Sequence, residues 1–142
     1  MTALTKDTPF QEAVGRMRRR PVAAAVLIYD GSILGIGVGG YAKPFVLGDR
    51  FGGHALEGVD NTTGAAGDRD VQVRDGIYQA EVSLAGVAVA NNFGRPIVYA
   101  QDSGTLSLTS GLKVGHVVQY LGTAKAIVEF DASYETAVVV DP

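Results

Sequence analysis

A mainly β domain, a single β-barrel or β-sandwich with a short N-terminal amphipathic helix, is the fold class this sequence predicts. Three observations lead to it. Glycine supplies 19 of 142 residues, about twice the ordinary usage of roughly 7%. Short runs rich in valine and isoleucine recur from Val22 to Val140 and are punctuated by turn dipeptides. Only one stretch, close to the N-terminus, has helical spacing.

That stretch comes first in the chain. Thr8 suits an N-cap, Pro9 the first helical position, and Gln11 completes a capping box with Thr8. Phe10, Ala13, Val14 and Met17 follow at i, i+3, i+4 and i+7, one face of a helix. Pro21 ends it, because a proline disfavours helical geometry at the residue before. Residues 1–20 therefore read as an arm with a two-to-three-turn helix, and residues 21–142 as the β body.

The body's expected strands are Val22–Tyr29, Ile33–Val38, His54–Val59, Asp70–Val73, Tyr78–Val82, Ile97–Ala100, Leu106–Thr109, Gly115–Leu121, Ala126–Asp131 and Ala137–Val140. Turns fall at Asp30-Gly31, Asp75-Gly76, Asn91-Asn92, Asp102-Ser103-Gly104 and Ser110-Gly111. The run Leu84–Ala90 fits helix or strand, and its flanking pattern favours strand. Gly39–Gly53 reads as a loop, and Asn61–Asp68 as a mobile excursion. Strands so closely spaced favour a barrel or sandwich over βαβ units.

Composition narrows the function. At 14.8 kDa the chain suffices for one domain with a real core. Cysteine is absent, which removes disulfides, thiolate metal sites and a cysteine nucleophile. No apolar run reaches the roughly 18 residues of a membrane helix, and the N-terminus lacks the pattern of a secretory signal. The expectation is a soluble, non-secreted chain that needs no cofactor and touches no membrane. Charge is divided unevenly: residues 1–20 carry five basic and two acidic side chains, the rest seven basic and thirteen acidic.

Chemistry-bearing patterns are few. Gly35-Ile36-Gly37-Val38-Gly39-Gly40 matches G-x-G-x-x-G, but Tyr41-Ala42-Lys43-Pro44 follows where a dinucleotide site requires a helix. His54 and Glu57 have H-x-x-E spacing; on a strand, residues three apart diverge, which argues against a shared metal. Asp60, Asp68, Asp70 and Asp75 lie in a turn-rich stretch, where carboxylates chiefly serve turns. No serine or threonine sits in a nucleophile elbow. An enzyme is not expected.

The cluster Arg16-Met17-Arg18-Arg19-Arg20 admits three readings. Arginines so grouped suit phosphate contacts with nucleic acid, although the acidic body lacks basic strands interleaved with aromatics. They equally suit docking on an acidic protein surface, with Phe10, Val14 and Met17 as the buried face. The third reading is a solvated arm. Protein docking is favoured, which makes Phe10, Val14, Met17, Arg16, Arg18, Arg19 and Arg20 the candidate contacts.

Further along, the order of segments resembles a known family. Gly-x-Ala-x-x-x-Val-Asp-Asn from Gly53 to Asn61 is followed by Gly-Ala-Ala-Gly from Gly64 to Gly67 and Val-x-Val from Val71 to Val73. Then come Pro-Ile-Val-Tyr-Ala-x-Asp from Pro96 to Asp102, Leu-Ser-Leu-Thr from Leu106 to Thr109, Val-Gly-x-Val-Val from Val114 to Val118, and Val-Glu-Phe-Asp-Ala from Val128 to Ala132. Together they resemble the capsid cement, or head decoration, proteins of tailed bacteriophages. The likeness spans Gly53 to Ala132; the basic arm and the stretch Phe45 to Phe51 lie outside it. It implies a non-enzymatic structural protein on the outside of the capsid, made in the host cytoplasm. Its partners would be the major capsid protein and copies of itself, as a homotrimer or, in some phages, a dimer, with no direct nucleic-acid contact. Other classes left open are a nucleic-acid-binding barrel led by the arginines, and a virion-surface module that binds host glycans through loops 39–53 or 61–68.

Overall fold

The computed structural model describes residues 17–132, and they form twelve strands and one short helix. Five strands make the first sheet, in the order β1 (Met17–Pro21), β7 (Asp70–Arg74), β5 (Arg50–Ala55), β3 (Ile33–Ile36) and β4 (Ala42–Pro44). Five make the second: β10 (Thr105–Ser107), β9 (Ile97–Asp102), β11 (Leu112–Gly122), β12 (Lys125–Asp131) and β8 (Ile77–Ser83). A two-strand ribbon, β2 (Val26–Ile28) with β6 (Val59–Asn61), accompanies the first sheet. All the strand pairings are antiparallel.

Alternation explains which faces are buried. On β7, Val71 and Val73 turn inward; on β12, Ala126, Val128 and Phe130 do. Two apolar clusters result. One lies between the sheets and joins Phe51 of the first, and Phe45 just after β4, to Val98, Leu112, Val117, Val128 and Phe130 of the second. The other lies between the first sheet and the ribbon, from Val22, Ile28, Leu34, Ala55, Val71 and Val73. Ile33 N–H donates to the Ser103 carbonyl at 2.8 Å and stitches the sheets along one seam. At another corner β7 runs through Asp75 and Gly76 directly into β8, so a single length of chain serves both sheets. Gly53, with φ +91°, lets β5 approach β7: a Cβ there would meet the Arg74 carbonyl oxygen.

Several expectations are corrected. Among the described residues the sheets do not close into a barrel. The helix expected to run to Arg20 is not present where the chain is described: Met17–Pro21 is strand β1, paired from Met17 opposite Arg74 to Pro21 opposite Asp70. Helical spacing there lost to long-range pairing. Phe10, Val14 and Arg16 lie outside the described residues, as does the expected strand Ala137–Val140. Gly39–Gly53 is not one loop, since it holds β4 and the start of β5. His54–Val59 breaks at Leu56–Gly58, between β5 and β6. Leu84–Ala90 is not a strand; Leu84 and Val87, three apart, are both buried, which a period of two does not produce. Asn91–Gly94 forms a one-turn helix, α1, instead of a simple turn.

Candidate functional site

Of the arginines singled out by sequence, Arg18, Arg19 and Arg20 are built into the body on β1. Strand pairing turns Arg18 and Arg20 toward the corner where β7 passes into β8, and Asp75 lies there with only 3% of its surface exposed. Its Oδ2 accepts from Arg18 Nε at 2.9 Å and from Arg20 Nη2 at 2.8 Å. Arg20 is the more enclosed partner, at 29% exposed against 59% for Arg18, and its Nε is buried without a hydrogen-bond partner. Arg19, on the opposite face, lies 3.5 Å from Glu57 Oε2, which also accepts from the Gln72 amide at 3.0 Å. Met17 is 54% exposed and touches the Gln72 side chain through its sulfur at 3.6 Å. Each of the three arginines on β1 thus faces a body carboxylate, and the strand that carries them is anchored at both faces.

Beside Glu57 an open polar cleft of about 490 Å³ is lined by Asp60, Thr62, Thr63, Arg69 and Asp70 among others. The adjoining loop is ordered by its own side chains. Asn61 Nδ2 donates to the carbonyls of Ala23 (2.8 Å) and Ala65 (3.1 Å), and Asp68 Oδ2 accepts from the Ala65 amide at 2.9 Å. Asp60 accepts from the Thr62 hydroxyl at 2.6 Å and its amide at 3.0 Å; those bonds to Thr62 hold its carboxyl below the usual range. The 61–68 segment is a pinned loop, where the sequence suggested a mobile one.

His54 and Glu57 part company because β5 ends at Ala55 and Glu57 lies in the break before β6. His54 enters the core, where Nδ1 lies 2.6 Å from the Tyr78 hydroxyl and the ring sits edge-on to Phe51, Tyr78 and Phe130. Burial lowers its pKa to about 4, so the imidazole is neutral near pH 7. The same enclosure raises the Tyr78 phenol well above its ordinary value. Both groups serve packing. Among the described residues no cluster of three or more His, Asp or Glu has metal-holding geometry.

The glycine motif also has a packing explanation. Asp49 is buried, and its Oδ2 accepts from Lys43 Nζ at 2.7 Å and the Val46 amide at 3.0 Å. Gly35 lies directly beneath, and a Cβ on it would meet the Asp49 carboxylate. Gly37–Gly40 form the β3–β4 turn, closed by Gly40 N–H to the Gly37 carbonyl at 2.9 Å. No helix follows to receive a pyrophosphate.

Sequence reasoning missed Asp75, Glu57 and Asp49 as anchors. Arg20 and Asp75 are 55 residues apart, and nothing local marks such a pair. Comparison of the chain with known protein families, with curated proteins and with solved structures gave no match.

Proposed function

We propose that this chain is a capsid decoration, or cement, protein of a tailed bacteriophage, a virion structural protein that acts by holding and not by catalysis. It binds the outside of the head and bridges adjacent major capsid proteins, with copies of itself, three or two, joined in one multi-armed unit. The two sheets facing across a shared core constitute a β-sandwich body. The observation that carries the reading is the order of segments from Gly53 to Ala132. Gly64–Gly67 falls in the loop between β6 and β7, and the other segments fall on or beside β5, β6, β7, β9, β10, β11 and β12.

The arrangement of charged groups supports it. Asp75, Asp49 and His54 are each engaged internally, which leaves the surface for contact. In this reading β1 is the root of the arm, fixed by Asp75 and Glu57. The reaching part lies upstream, with Phe10 and Val14 against a shell groove and Arg16 at its acidic rim; Met17, Arg18 and Arg19 border the contact.

Joining several arms raises avidity by about 10²–10⁴ over one arm. Occupancy then stabilises the assembled shell by RT ln(1 + [L]/Kd), about 2.7 kcal/mol per site at a hundredfold excess over Kd. The experiment is reconstitution of heads that lack this chain. Added protein is expected to form density on the outer surface and to restore survival of heat and osmotic shock. Heads that bind none of it, or survive equally well without it, refute the function.

A further inference from the structure

β8 is a seven-residue edge strand with one neighbour, β12. Ala132 N–H donates to the Gly76 carbonyl at 2.8 Å and Leu84 N–H to the Ala124 carbonyl at 3.0 Å. These bonds fix the phase of the ladder: Tyr78, Ala80 and Val82 direct their backbone groups at β12, and Ile77, Gln79, Glu81 and Ser83 direct theirs away from it. Among the described residues no strand meets that outward row.

The other edges of the two five-stranded sheets are guarded in ways β8 is not. β1 carries Arg18, Arg19 and Arg20 and ends in Pro21. β4 has three residues and ends in Pro44. β10 has three, with a bulge between Thr105 and Leu106. Short length, proline, charge and bulges are the devices that keep edges from pairing. β8 is longer, pairs with β12 without a register shift, contains no proline, and directs Tyr78, Ala80 and Val82 onto the inter-sheet core while leaving them only part-buried.

We infer that the outward edge of β8 is an interface for a second copy of this chain, the two β8 strands pairing antiparallel about a two-fold axis through Ala80. The strand's own sequence argues for this occupant. The one register that uses every residue sets Gln79 opposite Glu81 of the second copy, Ile77 opposite Ser83, and Tyr78 opposite Val82. No like charges then lie opposite each other, every outward backbone group finds a partner, and the half-covered side chains of one copy cover those of the other. Lys125, 3.7 Å from Glu81, flanks the row with the opposite charge. The second sheets of both copies become one continuous sheet. This pairing is a property of the chain itself and does not depend on the capsid reading.

The test is mass measurement of the full chain in solution at micromolar concentration, with no phage heads present. Twice the chain mass is expected. Gln79→Pro removes an N–H that points away from β12, so it spares the body's own ladder and is expected to leave monomer. Gln79→Glu, which sets two carboxylate pairs across the axis, is expected to raise the dimer Kd roughly tenfold, and Gln79→Lys to lower it by a similar factor. Amide exchange at Ile77, Gln79, Glu81 and Ser83 should slow as concentration rises. A monomeric or three-fold mass for the unaltered chain overturns the inference, as does a dimer indifferent to all three substitutions. A monomer with those amides already protected also overturns it, because the edge is then covered from within the same chain.

Discussion

Asp75→Asn keeps the volume of the side chain and removes the charge on which Arg18 and Arg20 converge. Breaking a wholly buried ion pair by loss of one partner costs roughly 3–5 kcal/mol, most of it the uncompensated charge left behind. Here Asp75 is buried but Arg18 is 59% exposed and Arg20 29%, so water recovers part of the loss. The expected destabilisation is about 2–3 kcal/mol. Glu57→Gln supplies the control, since its partner Arg19 is well exposed and 3.5 Å away, and it should cost about 0.5 kcal/mol or less. The assay is urea unfolding with the slope held against the unaltered chain, paired with amide exchange. Arg18 and Arg20 lie opposite Val73 and Val71, so their amides should exchange faster in Asp75→Asn. A midpoint within about 0.5 kcal/mol of the unaltered chain, with unchanged exchange along β1, refutes the view that Asp75 latches the strand.

Three further outcomes follow from the interior. His54 titrates near 4 when folded and at an ordinary 6.5 when unfolded, so below pH 6.5 the unfolded chain binds more protons. Its contribution is complete above pH 6.5 and is lost as pH falls toward 4, about 2 kcal/mol of it by pH 5; thermal unfolding at pH 7.5 and 5 should lose that share of its pH dependence in His54→Phe. Gly35→Ala drives a methyl group into the Asp49 carboxylate and should cost about 1–3 kcal/mol, with partial recovery in the double variant with Asp49→Ala, read by denaturant melts. Phe45→Ala empties a fully buried site between the sheets and should cost about 3–5 kcal/mol; a loss under about 1 kcal/mol would show that the sheets do not depend on it.

Legibility followed locality. β7, β8, β9, β11 and β12 are close to expectation because alternation is written in neighbouring residues, as in Tyr78, Ala80 and Val82. Met17–Pro21 was misread because Phe10, Val14 and Met17 satisfy a helical period, while the β7 partners and Asp75 that make it a strand lie more than 45 residues downstream. β4 and the first half of β5 were hidden by glycines, which a local reading takes as loop and the structure uses for close approach. Of the anchoring carboxylates only Asp75 was legible, and only as a turn residue. For Asp60 and Asp68 that reading holds; Asp75 has further partners, which folding brings to it.

The corner at Asp75 and Gly76 has a mechanical consequence. Ladder hydrogen bonds run across the strands, so tension drawn along β1 from its N-terminal end loads its bonds to β7 in shear, all together, and the two guanidinium contacts share the strain. Peeling β1 sideways would break the same bonds one after another. Because β7 continues into β8, force entering at Met17 passes around the corner into the second sheet. The molecule therefore resists a lengthwise tug far better than a lift.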